Sequence, residues 1–420
     1  MKLTHKLALG SIAMAIATLG FAADTIKIGL QGPLTGGSSP MGVSMRDGAK
    51  LAVNEINAKG GILGRKIEMI ERDDEAKNER GVQIAQELIN KEKVIATVGY
   101  INSGVGLASQ RFYQEAKIPV MNNVATASVI TKQFADQPEN YVFRNSANDT
   151  IQSGLIVEEL VTRRKYTKVA ILADSTNYGQ LGREDLEKAL AAKGLKAVAT
   201  EKYNIKDVDM TAQLLKAKEA GAEVVITYGI GPELAQIANG MIKLNWKVPM
   251  MGSWTLSMAN FLDNAGKNAD GAIMPQTFIQ EPNTPKRASF ISSYQKAYKV
   301  KRIPSPVSAA QGYDSVYLLA AAISQAKSTE GPKILAALEN LDAKVEGVVT
   351  TYDKPFTKTD HEAITANMVV IGKAVDGQIV YAYDEDKKKG GEVRTKAAAK
   401  SAAKPAAAKP AAKPAADAKK

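Results

Sequence analysis

The strongest constraint on this chain is a rhythm: short apolar runs of strand length alternate with stretches patterned at helical spacing. Thr25–Leu30, Lys66–Glu71, Val94–Val98 and Val120–Met121 read as strands. Helices Val43–Ala58, Asn78–Asn90 and Gly106–Ala116 fall between them. From Ile151 the pattern starts again. Strands Lys168–Leu172, Ala197–Tyr203, Glu223–Tyr228 and Val248–Met251 are separated by helices Gly179–Lys193, Met210–Ala220 and Pro232–Leu244, after an opening helix Ile151–Arg163. Alternation of this kind demands parallel strands, because each crossover helix returns the chain to the same edge of the sheet. Two series predict two doubly wound α/β lobes. After them come helices Ala288–Tyr298, Ser308–Ala326 and Pro332–Leu341. Strands Met368–Ile371 and Gln378–Tyr383 then flank a turn at Asp376-Gly377.

Charge excludes one class of function. Lys and Arg outnumber Asp and Glu by 55 to 44, but the excess sits at the ends. Residues 387–420 hold eleven basic residues against Glu392 and Asp417, and the first 22 residues hold Lys2 and Lys6 with no acid, so 23–386 is neutral. A folded nucleic-acid-binding body carries a basic excess; this one does not. The N-terminus has the form of an export signal: Lys2 and Lys6, an apolar Leu7–Leu19, and a small-residue cleavage site ending at Ala22. A periplasmic product is expected. The chain has no cysteine. Disulfides, thiol catalysis, Cys-metal sites and a lipid-attachment Cys are excluded with it. Residues 387–420, with Lys-Pro repeated in an alanine background, are expected to be a disordered, solvated tail; adhesion to an anionic surface is the sharper reading.

Signals for bond-breaking chemistry are weak. Apart from His5 in the signal, His361 is the sole histidine; it lies in a polar stretch and reads as a surface residue, and no Gly-x-Ser-x-Gly elbow is present. The glycines of Gly60–Gly64 fit a helix stop and turn, not a phosphate loop. Gly229-Ile230-Gly231 lacks the third glycine of a dinucleotide loop. Asp73-Asp74-Glu75 reads as caps for the next helix, with no metal site. No cofactor is expected. What stands out is the polarity of the loops at the carboxyl ends of the strands, where open parallel sheets bind ligands. These are Gln31–Gly37, Gly99–Gly104 with Asn102 and Ser103, Asn122–Thr126, and Asp174–Gly179. Hydroxyls, amides and helix-start N–H groups can solvate an anion without a formal positive charge.

Several stretches together resemble one family: Ile28-Gly29 with Gly32–Gly36, Gly48-Ala49 through Asn57–Ile62, Asp73-Asp74, Val98-Gly99, Tyr141–Arg144, Asp174 with Tyr178-Gly179, and Gly312-Tyr313-Asp314. Residues 25–385 resemble the periplasmic binding proteins that serve branched-chain amino acid ABC importers. The resemblance implies a type I binding-protein fold, with lobe 1 at 24–148 plus 277–352, lobe 2 at 149–276 plus 353–386, and three crossing segments as a hinge. It implies a monomeric receptor that closes around a small ligand and delivers it to an inner-membrane permease. Ser103 and Thr126 match hydroxyls that hold the ligand carboxylate, with the backbone at Val124, and Tyr178 matches a ring that closes over it. Met41 and Ile230 stand where relatives have tyrosines. Trp254 stands where a Glu pairs with the ligand ammonium. That departure predicts a carboxylate or amide ligand, an amino acid or an aromatic or aliphatic acid, without a required ammonium; the other reading is that Trp254 is core. Rival functions are a sensor of the same fold feeding a membrane signalling protein, and an envelope enzyme.

Overall fold

The computed structural model describes residues 25–391 and Lys396. The expected rhythm is realised, element by element. The first series is β1 (Ile26–Gly32), α1 (Ser39–Ala58), β2 (Ile67–Asp73), α2 (Asn78–Glu87), β3 (Ala96–Gly99), α3 (Ser103–Glu115), β4 (Val120–Asn122) and β5 (Val142–Arg144). The second is α4 (Asp149–Glu158), β6 (Val169–Asp174), α5 (Asn177–Ala191), β7 (Ala199–Tyr203), α6 (Thr211–Glu219), β8 (Val224–Tyr228), α7 (Gly231–Lys243), β9 (Met250–Gly252), α8 (Ala259–Ala265) and β10 (Ile273–Gln276). Then follow α9 (Pro285–Tyr298), α10 (Pro306–Ala326), α11 (Gly331–Glu339), the small pair β11 (Val345–Glu346) and β12 (Thr351–Tyr352), β13 (Val370–Val375), β14 (Gln378–Tyr381) and α12 (Asp384–Gly391).

The strands form two large sheets. One is wholly parallel in the order β2-β1-β3-β4-β5. The other runs β7-β6-β8-β9-β10 in parallel and is extended by antiparallel β13 and β14. Strands β3, β6 and β8 are buried along their whole length, as strands covered by helices on both faces must be. In each sheet the winding direction reverses once, between β1 and β3 and between β6 and β8. Reversal splays the flanking loops apart and leaves a crevice beyond the carboxyl ends of those strands. The loops after β1, β3, β6 and β8 are therefore the ones the topology offers to a ligand.

Three connections join the sheets: Asn145–Asn148 after β5, the chain beyond Gln276, and the run into β13. The third differs from expectation. Segment 361–363 lies along the open edge of β5, where Arg144 N–H donates to His361 O and Ala363 N–H to Arg144 O, both at 2.9 Å. The chain thus stays with the first sheet until Ala363 and crosses after it, not at Asp353. The tail expectation also needs correction at its start. Residues 387–391 continue α12, whose Gly390 carbonyl accepts from Arg287 at 2.6 Å. Residues 397–420, like the signal at 1–22, lie outside the described residues.

Helices α1 and α10 pack closely enough to explain two glycines. A Cβ on Gly48 would fall 2.0 Å from the Ala309 carbonyl oxygen, and one on Gly312 would fall 2.3 Å from that of Met45. Backbone cannot yield as a side chain can, so Gly48→Ala is expected to cost about 1–3 kcal/mol. Urea denaturation of the variant measures this.

Candidate functional site

Four loops and the first crossing converge between the sheets. Helix α3 begins at Ser103 with Asn102 as its cap residue, and α7 begins at Gly231 with Ile230 as its cap; neither cap side chain takes a hydrogen bond from its own helix. Their first N–H groups keep their positive ends for something else. Helix α5 starts beside them, capped by Thr176, whose hydroxyl accepts from Gly179 N–H at 3.4 Å. Beneath it Asp174, also bonded to Thr176, is pushed up to about 6 by burial.

The structure gathers the expected residues. Met41, Asn102, Val124, Thr126, Tyr178, Ile230 and Trp254, with Ile101 and Thr255, line one narrow chamber between the sheets, whose free volume of about 10 Å³ is room for a single water molecule. Ser103 stands at its outer side, on the wall of a wide cleft of about 860 Å³ shared with Asn102, Tyr178 and Ile230. Met41 and Ile230 give the chamber apolar walls where hydroxyl rings had been expected of the family. The cleft is pinched at its lips. Asn260 Nδ2 of α8 donates to Gly37 O at 2.9 Å across it. At Gly104 a Cβ would come within 2.7 Å of Asn177 Oδ1, so a larger residue there would have to displace the Asn177 side chain between α3 and α5.

Inside the chamber the hydrogen-bonding capacity is partly spent. Ser103 Oγ accepts from Ala127 N–H at 3.2 Å, and Tyr178 and Ser253 share a 2.5 Å hydroxyl contact. Asn102 Nδ2 donates to Ser38 Oγ at 3.2 Å, whereas its Oδ1 is buried without a partner. Trp254 is clamped by its backbone: its N–H donates to Gln152 Oε1 at 3.0 Å and its carbonyl accepts from Gln276 Nε2 at 3.2 Å. The ring is 6% exposed, and its Nε1–H is buried with no acceptor. The ring belongs to the core and also walls the chamber.

Thr126 and Trp254 also line a second narrow chamber, again of about 10 Å³, on the hinge side. Its polar lining comes from Ser146, Gln152, Gln276, Thr277 and Gln311. Sequence reading missed these residues. Ser146 and Thr277 lie on crossings, Gln152 on α4, Gln276 at the end of β10 and Gln311 on α10, and the one available signal was polar residues such as Gln276-Thr277 at the close of an apolar run. Neither inner chamber is lined by an Asp, Glu, Lys, Arg or His side chain. Such a space suits a ligand whose charge is met by N–H and O–H groups.

Two further expectations are overturned. His361 is 5% exposed: it stacks on Phe143 with centroids 4.0 Å apart, and its nitrogens lie 3.0 Å from Val142 O and 3.3 Å from Glu339 Oε1. Burial lowers its pKa. It read as a surface residue because the strand-like addition of 361–363 to β5 could not be foreseen. Asp73 and Asp74 do not cap α2, whose cap residue is Lys77. Asp73 instead accepts from Leu34 N–H and Glu75 N–H, both at 2.9 Å, tying down the loop after β1. Asp74 takes Ala76 N–H at 2.9 Å.

Comparison with known proteins agrees with this architecture. The family model described as a periplasmic binding protein matches residues 25–377. The leucine-, isoleucine-, valine-, threonine- and alanine-binding protein of Pseudomonas aeruginosa is 29% identical over 341 residues, 80% of this chain and 88% of that protein. The crystal structure of a periplasmic binding protein type 1 from Bordetella pertussis Tohama I superposes with a TM-score of 0.76 at 30% identity, covering 89% of this chain and all of the other. An ABC-transporter solute-binding protein from R. palustris, solved with 4-hydroxybenzoate, shares the fold at 22% identity and a TM-score of 0.73, covering 85% and 95%.

Proposed function

Because the chain belongs to the periplasmic binding protein family, we propose that it captures a small carboxylate between the two sheets, against the residues of the inner chamber, and delivers it to an ABC permease of the branched-chain amino acid type. One observation carries the choice of ligand. The chamber offers helix starts and hydroxyls that suit an anion, and no acidic side chain lines it to meet an ammonium. Burying an unpaired ammonium costs several kcal/mol. A carboxylate at Ser103, Thr126 and the start of α3 meets N–H and O–H donors instead. The Trp254 face then covers the body of the ligand, and a flat aromatic body gains about 0.5–1.5 kcal/mol there beyond area burial. The amino-acid-binding relative and the 4-hydroxybenzoate-bound one bracket the choice, and Trp254 in place of a carboxylate favours the acid.

The two sheets with their helices act as lobes of a hinge. Ligand contacts on both sides favour the closed form by as much as they differ between open and closed states. The body functions as an exported monomer after removal of 1–22. Mass spectrometry of ligand released from protein purified out of its native envelope tests this reading. An acid without an α-amino group is expected; leucine, isoleucine or valine in its place contradicts it.

A further inference from the structure

Asp149 opens α4 directly after the first crossing and is fully buried. Its N–H donates to Thr126 O at 2.8 Å. Its Oδ1 accepts from Gln152 Nε2 at 3.3 Å, and Gln152 in turn accepts from the Trp254 N–H. The carboxyl therefore sits in a chain of bonds from Thr126, on the first sheet's side, to Trp254 on the second. Its Oδ2 is buried and has no partner. The charged and titratable groups facing it are Arg144 from β5, Asp185 and Tyr178 from α5, and Tyr228 from β8. Arg144 is already committed to Glu362 through two hydrogen bonds, so it is not free to pair with Asp149. Burial pushes its carboxyl up to about 7; the Thr126 hydroxyl and the Arg144 charge oppose the push and Asp185 adds to it.

We propose that Asp149 takes up a proton when the cleft closes on a carboxylate, so that capture of the anion is proton-coupled. The inference rests on the carboxylate reading above. A ligand anion at Thr126 is a second carboxylate beside the first in a site shut off from water, and two such groups do not both stay ionised. Protonation removes the repulsion and turns the orphaned oxygen into an O–H donor. An ammonium-bearing ligand has the opposite preference, since it gains from an ionised Asp149 and takes up no proton. Raising the pH ionises Asp149 and weakens the acid's binding, up to tenfold per unit for one coupled proton.

Titration calorimetry of the full chain with benzoate and 4-hydroxybenzoate, in phosphate and in Tris at pH 7.5, reads the proton directly as a buffer-dependent enthalpy. Uptake of about 0.5–1 proton and a roughly fivefold loss of affinity per unit above pH 7.5 are expected. Asp149→Asn should bind with an affinity flat in pH; should that variant fail to fold, the two-buffer comparison on the wild type decides alone. Acid binding with no buffer dependence, or an Asn variant that keeps the wild-type slope, overturns the proton coupling and leaves the carboxylate reading standing. Leucine binding with no response to either acid overturns that reading, and this inference with it.

Discussion

Arg144→Met is expected to lower the thermal midpoint by roughly 10 °C and to weaken ligand binding in the same molecule. The guanidinium is completely buried. It forms a two-pronged pair with Glu362, with Nε to Oε2 at 2.9 Å. Its Nη1 donates to Ala127 O at 2.8 Å and to Ala125 O at 3.4 Å. One side chain thus holds the third crossing against β5 and fixes the carbonyls on both sides of Thr126. Removing one partner of a buried pair leaves the other uncompensated, at about 3–5 kcal/mol. For a chain of this size each kcal/mol moves the midpoint by about 2–4 °C. The double variant Arg144→Met/Glu362→Leu should recover part of the loss, because apolar residues can replace both charges at small cost. Calorimetric melting of the single and double variants checks both statements. A double variant no more stable than the single would show that the lost carbonyl contacts, not the stranded Glu362, dominate.

Trp254→Glu is expected to reverse the ligand preference. The substitution sets a carboxylate on the wall shared by the two inner chambers. An acid ligand then faces a like charge in a closed space, a juxtaposition worth several kcal/mol, so its affinity should fall by about 100-fold or more. Leucine gains a carboxylate on the chamber wall itself, where the wild type has none. Trp254→Phe keeps a ring face but loses area and the buried Nε1–H, and a drop of about tenfold for an aromatic acid is expected. Titrating all three proteins with leucine and with 4-hydroxybenzoate separates an effect of charge from one of packing.

Much of the architecture could be read from the chain because long, well-separated apolar runs make parallel strands hard to mistake. β1, β6 and β8 are each five to seven residues long. β5 and β10 escaped for a physical reason. Val142–Arg144 is three residues long and ends in an arginine, and Ile273–Gln276 contains Pro275, which ordinarily argues against a strand. Arg144 can be buried only because Glu362, 218 positions away, closes on it. No local pattern carries that information. The same holds for His361, whose polar neighbourhood hides a contact with β5.

The site divides along the same line. Ser103, Thr126 and Tyr178 were legible because they follow strand ends, where the winding of a parallel sheet puts its crevice. The glutamines at 152, 276 and 311 were not. They enter from α4, from the end of β10 and from α10, and their convergence depends on how the two sheets face each other.

Calorimetric titration of the purified, ligand-stripped protein with 4-hydroxybenzoate and, in parallel, with leucine tests the central claim most directly. Saturable 1:1 binding of the acid, with leucine absent or far weaker, is the expected result. Tight leucine binding with no heat from the acid would contradict it.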